Sequence, residues 1–255
     1  MGLTIKTLRL VCSQDELALI PEGKILINCI NAFSYVVAQQ DALFAEALVN
    51  GDYLIPDGAG VVNACRWLKA KHQPKERIAG WDLFSFEMGN LERKSVKLKE
   101  KGEKCLCVMF LGSSEKVLSL IRERAAIDYP NLEVVTYSPP YKQEFSDEDN
   151  EAMLRAINKA NPDLLWIGMT APKQEKWAYQ HWDELNIHCH CGTIGAVFDF
   201  YAGTERRAPL WWQRNSLEWL FRLLMEPRRL WRRYLIGNMK FLYYIYKERK
   251  TLCTR

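Results

Sequence analysis

Three short segments combine residue types that could do chemistry with positions a ligand could reach. Ile55-Pro56-Asp57-Gly58-Ala59-Gly60 sets a carboxylate and two glycines between a short apolar run and an amphipathic stretch. At the carboxyl end of a strand in an open α/β sheet, where such folds collect ligands, Asp57 could take a proton from an attacking hydroxyl. The plainer alternative is an aspartate that caps the next helix or its turn. Leu111-Gly112-Ser113-Ser114 follows another apolar run and opens a helix, so its backbone N–H groups and hydroxyls could hold a phosphate, or Ser114 could simply cap. In Gly168-Met169-Thr170-Ala171-Pro172-Lys173-Gln174-Glu175 a strand ends in glycine, and proline pre-sets a helix that opens with Lys, Gln and Glu. A plain cap with an acidic first turn is the alternative there.

Other suggestive runs read as structural. In a strand, His188 and His190 face one way and Cys189 and Cys191 the other, so the four cannot converge on one ion. Asp147-Glu148-Asp149 follows Ser146 at a helix start, where acidic residues suit the macrodipole. Gly192-Thr193-Ile194-Gly195 lacks the third glycine of a dinucleotide fingerprint and follows a late strand. No metal site, no cofactor and no Ser/His/Asp arrangement is expected.

Positioning these residues requires an α/β fold. Strands are predicted over 24–29, 53–55, 105–111, 133–137, 164–167 and 187–191. Helices are predicted over 33–49, 61–71, 114–129, 147–160 and 173–185. This alternation implies a Rossmann-like, mostly parallel sheet with helices on both faces. The chain changes character after Gly203, giving an expected division into a catalytic core, 1–202, and a helical C-terminal appendage, 203–255. From Ala208 the appendage reads as two helices split at Pro227. Arg229, Arg232, Arg233 and Lys240 share one helical face, with Trp231, Tyr234, Phe241, Tyr243, Tyr244 and Tyr246 interleaved.

Charge points the same way. Residues 203–255 hold 13 Lys and Arg against 4 Asp and Glu, while 1–202 hold 22 against 27. A cationic, aromatic-rich tail suits an anionic membrane surface or a phosphorylated ligand. Eight scattered cysteines without a CxxC pair, and an N-terminus without a signal-peptide pattern, predict reduced thiols in the cytoplasm. No segment has the apolar length to span a bilayer. Peripheral association with the inner face of the cell membrane is therefore expected.

Taken in order, the motifs resemble the WecG/TagA/CpsF family, glycosyltransferase family 26. The matching stretches begin with Pro56-Asp57-Gly58, Glu76-Arg77-Ile78-Ala79-Gly80, Phe110-Leu111-Gly112 and Pro162-Asp163. They continue with Ala171-Pro172-Lys173-Gln174-Glu175-Lys176-Trp177, Gly195-Ala196-x-Phe198-Asp199-Phe200 and Arg207-Ala208-Pro209. The last are Leu217-Glu218-Trp219-Leu220-x-Arg222 and Arg232-Arg233-Tyr234.

The resemblance implies an inverting, metal-independent transfer from a UDP-sugar to a sugar on undecaprenyl diphosphate, in cell-surface polysaccharide or teichoic-acid-type synthesis. It implies Asp57 as general base. It places Asn31, Arg77, Gln174, Gly112 and Gly195 at the substrate site, and Arg222, Arg229 and Arg232 as tail arginines that meet the diphosphate. Cys29 stands where the family often has threonine, two residues before Asn31. A thiol is a weaker donor than a hydroxyl, so donor recognition is expected to differ. N-acetylmannosamine, its uronic acid and glucose all stay open as the sugar, and a homo-oligomer is compatible with the aromatic surface.

Two other readings compete. A soluble nucleotide-sugar-modifying enzyme would need a glycine fingerprint near the first strand, and Ile27-Asn28-Cys29-Ile30-Asn31-Ala32 has no glycine. A nucleic-acid-binding module would rest on the basic tail alone, which carries no zinc-finger or RNA-binding signature; no nucleic-acid partner is expected.

Overall fold

The computed structural model describes residues 3–253. Six strands form one sheet: β1 (Ile25–Ile30), β2 (Tyr53–Pro56), β3 (Cys107–Gly112), β4 (Glu133–Tyr137), β5 (Leu164–Gly168) and β6 (His190–Thr193). Their order is β2-β1-β6-β5-β3-β4. The pairings β1–β6, β5–β6, β3–β5 and β3–β4 are all parallel. Around the sheet lie α1 (Ala32–Ala38), α2 (Ala42–Asn50), α3 (Ala59–Trp67), α4 (Gly80–Glu100), α5 (Glu115–Asp128), α6 (Asp147–Ala160), α7 (Lys173–Gln180) and α8 (Val197–Ala202). The tail adds α9 (Leu210–Arg214), α10 (Glu218–Met225), α11 (Pro227–Trp231), a π-helical turn (Arg232–Ile236) and α12 (Gly237–Cys253).

The mostly parallel α/β fold is the one expected, with differences of local cause. The predicted helix 33–49 is two helices, because Asp41 caps anew by accepting from the Phe44 amide at 2.9 Å. The strand expected from Ile187 begins at His190. The tail breaks at Pro227 but also at Ser216, whose φ is +59°. The longest helix, α4, is absent from the predicted set; Gly89 interrupts its pattern, and its second half is mostly charged. Asp147-Glu148-Asp149 does open α6, where Ser146 and Asp149 form a reciprocal capping box.

The chain forms two compact units. The first comprises the chain up to Glu16, Cys29–Ala79 and the chain from Arg206; the second comprises Leu17–Asn28 and Gly80–Glu205. In the first, Phe44, Leu48, Val61, Cys65, Tyr35, Phe241 and Ile245 form a buried cluster. Burying such side chains stabilises by roughly 1.5–3 kcal/mol each, so α12 is held by Phe241 and Ile245. The Tyr35 and Phe241 rings meet edge-on at 5.4 Å. Glu248 on α12 accepts from the Lys6 amide at 2.9 Å, the Ile5 amide at 3.2 Å and the Tyr35 hydroxyl at 3.0 Å.

In the second unit, β3 and β5 are buried throughout, as strands between covering layers must be. Asp163 locks their starts together: its carboxylate accepts from the Cys107 amide, and its own amide donates to the Cys107 carbonyl, both at 2.8 Å. Their ends approach so closely that a Cβ on Gly112, whose φ is +120°, would collide with the Gly168 carbonyl.

Candidate active site

In the first unit, the turn after β2 is built by backbone hydrogen bonds. The Asp57 amide donates to the Ile30 carbonyl at 2.8 Å, which ties the turn to the end of β1. The Ile78 amide donates to the Pro56 carbonyl at 3.1 Å. The Pro56-Asp57-Gly58 and Glu76-Arg77-Ile78 motifs, twenty residues apart in sequence, therefore share one structural corner. Asp57 is half-buried at the carboxyl end of its strand, the position expected of it. It does not occupy the cap of α3, which falls to Gly58 at φ +146°. A Cβ on Gly58 would stand 3.6 Å from the Asn31 Cβ, so Asn31 flanks the same turn.

Asn31 has a structural duty beside any binding one. Its Oδ1 caps α1 by accepting from the Ser34 amide at 3.0 Å and the Ser34 hydroxyl at 3.2 Å. Two residues on, the Phe33 ring carries the Arg233 guanidinium at 4.4 Å. Burial pulls the Arg233 pKa below arginine's ordinary range; Tyr234 and the Asp57 carboxylate oppose that, and Arg222 and Arg229 add to it. The guanidinium thus lies within the Coulomb field of Asp57 and of two other tail arginines.

The remaining tail arginines have identifiable surroundings. Arg222 is half-buried on α10. Arg229 is exposed and forked onto both oxygens of Glu226, at 2.6 Å through Nη2. Arg232 is exposed, with its guanidinium 5.3 Å from the Trp231 ring centre. Arg77 pairs with Glu218 at 3.0 Å, and Glu218 lies 3.6 Å from Arg207.

In the second unit, the Gln174 and Gly195 motifs come together. Gln174 is 3% exposed; its Oε1 accepts from the Met169 amide at 3.0 Å, and its Nε2 donates to Glu175 at 2.9 Å. Gly195, at φ +49°, leaves only 3.6 Å between a would-be Cβ and both Gln174 amide atoms. The glycine at 112 is accounted for by the close approach of β5, and Ser114 caps α5 through the Val117 amide at 3.4 Å. Among the described residues no three or more His, Cys, Asp or Glu side chains gather as a metal site would require. His190 instead binds the Glu87 carboxylate at 3.0 Å and the Pro21 carbonyl at 2.8 Å.

Sequence reasoning assigned no role to Phe33, Arg233 or Glu218. The signal for Glu218 is that it is one of four acids in a tail of 13 bases. Arg233 was one of several basic residues on a face, and nothing in the pattern marks it off from Arg232.

The family described as Glycosyl transferase WecG/TagA/CpsF matches residues 2–254. The chain belongs to this family. As a WecG/TagA/CpsF member it is a glycosyltransferase, which agrees with the order of motifs in its sequence. Among similar proteins, one from Bacillus subtilis (strain 168) is 28% identical over 225 residues, 88% of this chain and 80% of that protein. One from Bacillus spizizenii is 30% identical over 198 residues, 78% and 70% of the two chains. One from Staphylococcus aureus (strain MW2) is 27% identical over 216 residues, 82% and 74%. All three are named N-acetylglucosaminyldiphosphoundecaprenol N-acetyl-beta-D-mannosaminyltransferase.

Proposed function

We propose that this WecG/TagA/CpsF protein transfers a sugar, with inversion and without a metal, from a UDP-sugar to N-acetylglucosamine carried on undecaprenyl diphosphate. The observation that carries this reading is the half-buried Asp57 at the end of β2, off the helix cap and within the field of the Arg233 guanidinium. The acceptor hydroxyl gives its proton to the Asp57 carboxylate. Its oxygen bonds to the anomeric carbon from the face opposite the leaving group, and the bond to UDP breaks with the electron pair staying on the diphosphate. The charge gathering there needs preorganised cations, and the forked donors of arginine fit phosphate oxygens. Arg222, Arg229 and Arg232 are assigned to the diphosphate, and Asn31, Arg77, Gln174, Gly112 and Gly195 to substrate binding, on the strength of the resemblance.

The relatives' names favour N-acetylmannosamine as the sugar moved. The tail supports an interfacial role. Trp231, Leu235, Met239, Leu242 and Tyr246 are all at least 41% exposed and recur every three or four residues, with Arg232, Lys240 and Lys247 among them. We place this stripe on the anionic inner surface of the cell membrane, where the lipid-linked acceptor resides. No helix among the described residues is long and apolar enough to cross a membrane.

The test is a donor screen. UDP release is measured from UDP-N-acetylmannosamine, its uronic acid and UDP-glucose, with a short-chain polyprenyl-diphosphate N-acetylglucosamine as acceptor. Acceptor-dependent release from one donor supports the reading, and none from any donor rejects it.

A further inference from the structure

Among the described residues, Arg233 is one of three with a buried side-chain nitrogen or oxygen that makes no hydrogen bond. It sits in the π-helical turn Arg232–Ile236, a distortion that is rare and recurs at functional sites. Its guanidinium lies over Phe33 at 4.4 Å, and Phe33 follows Asn31 by two residues. Its Nε is shielded from solvent and has no hydrogen-bond partner. A buried donor of a charged group left unmatched carries a substantial cost, so a native protein that keeps one invites a functional cause. The electrostatics sharpen the question: Asp57 and Tyr234 favour this charged guanidinium while Arg222 and Arg229, themselves facing Glu226, oppose it, so three cations stand among two carboxylates. Such a cluster is stable when an anion with more than one charge joins it.

Resting on the transferase reading above, we propose that Arg233 is a direct substrate-binding residue: its guanidinium, 4.4 Å from the Phe33 ring centre, donates to a diphosphate oxygen. The chemistry recognised is the diphosphate group itself, which the departing nucleotide and the lipid-linked acceptor both carry. Bound there, the anion supplies the acceptor that Nε lacks and relieves the repulsion from Arg222 and Arg229. A forked guanidinium over an aromatic ring is not matched by an ammonium, so lysine is a poor substitute.

The test uses the full-length protein. In the wild type, modification of Arg233 by phenylglyoxal is followed by peptide mass, with inorganic diphosphate, UDP, or a short-chain polyprenyl-diphosphate N-acetylglucosamine added. At least fivefold protection by inorganic diphosphate supports the proposal; protection by UDP or by the lipid analogue then tells which substrate supplies the group. No protection by any of the three overturns it, and because no substitution is made, misfolding cannot obscure that result. R233K and R233Q are then assayed beside a thermal melt. Charge-assisted hydrogen bonds of this kind predict a fall in kcat/KM of roughly 10- to 100-fold for both variants. Wild-type kcat/KM in either folded variant overturns the proposal. If the wild type transfers no sugar at all yet inorganic diphosphate still protects Arg233, the transferase reading fails and the anion site stands.

Discussion

Arg77 and Glu218, 141 positions apart in sequence, meet through Nη1 and Oε2 at 3.0 Å, with both side chains four-fifths or more shielded from water. The same carboxylate faces Arg207 at 3.6 Å. One acid thus holds two guanidinium groups, one beside the β2 turn and one at the entrance to the tail. Removing it leaves two cations facing each other. Glu218→Ala is expected to cost about 1–3 kcal/mol of stability, and Glu218→Gln less, because an amide oxygen still accepts. Thermal or urea unfolding of the two variants checks the order; equal, wild-type stability in both would show that the triad holds nothing together.

Asp57 offers the cleanest separation of chemistry from binding. Asp57→Asn keeps the shape of the turn, which is set by backbone bonds from residues 57, 58 and 78. It removes the proton acceptor. Turnover is expected to fall by about 10²- to 10⁴-fold, with UDP affinity within a few-fold of wild type. Near wild-type turnover would remove Asp57 from the base role.

How much of this the sequence revealed depended on whether a residue's partner was local. Ser146 at the start of α6 and the apolar runs of β3 and β5 are decided by neighbours in the chain, and they were legible. The place of Asp57 at the end of β2 was legible, because the apolar run before it and the glycines after it mark the strand end. The tail was legible as cationic, but its acids carry the information that composition hides. Glu218 holds Arg77 and Arg207, Glu226 holds Arg229, and Glu248 holds the Ile5 and Lys6 amides. Those contacts span up to 243 positions, and no periodicity encodes them. Arg233 was hidden for another reason: the π-helical turn changes the angular phase, so a face drawn at 100° per residue does not say where its side chain goes.

His190 and Glu87 form a partly shielded pair that makes stability depend on pH. Burial alone would lower the histidine pKa, but the Glu87 hydrogen bond and charge, with the Pro21 carbonyl, outweigh it and raise the value above the ordinary 6.5. The folded state therefore holds its proton more tightly than the unfolded chain does. The resulting stabilisation is complete below 6.5 and declines as pH rises through the higher folded value. In Glu87→Gln the stabilisation due to Glu87 should be lost, leaving only the Pro21 carbonyl against burial and Lys94, so wild type and variant should differ most at pH 5–6 and converge in the alkaline range. A difference that is flat with pH would mean that the pair is held neutral.

The exposed stripe on the last helices should govern membrane attachment without governing the fold. Phe241 and Ile245 face the core and anchor α12, whereas Met239, Leu242 and Tyr246 face outward. Point changes on the outer face therefore test the tail without opening the core, as a deletion of residues 203–255 would. A triple Trp231→Ser, Met239→Ser, Leu242→Ser variant loses apolar contacts that, fully buried, contribute roughly 1.5–3 kcal/mol each. Its binding to vesicles rich in phosphatidylglycerol should fall at least tenfold, with the melting temperature unchanged. Charge reversal at Lys240 and Lys247 should weaken binding by about 1 kcal/mol per lysine removed, and the weakening should shrink as salt rises. Transfer to a water-soluble acceptor analogue should survive in both variants while transfer to vesicle-borne acceptor drops. Equal losses on the two acceptors would instead tie the stripe to the reaction and not to the bilayer.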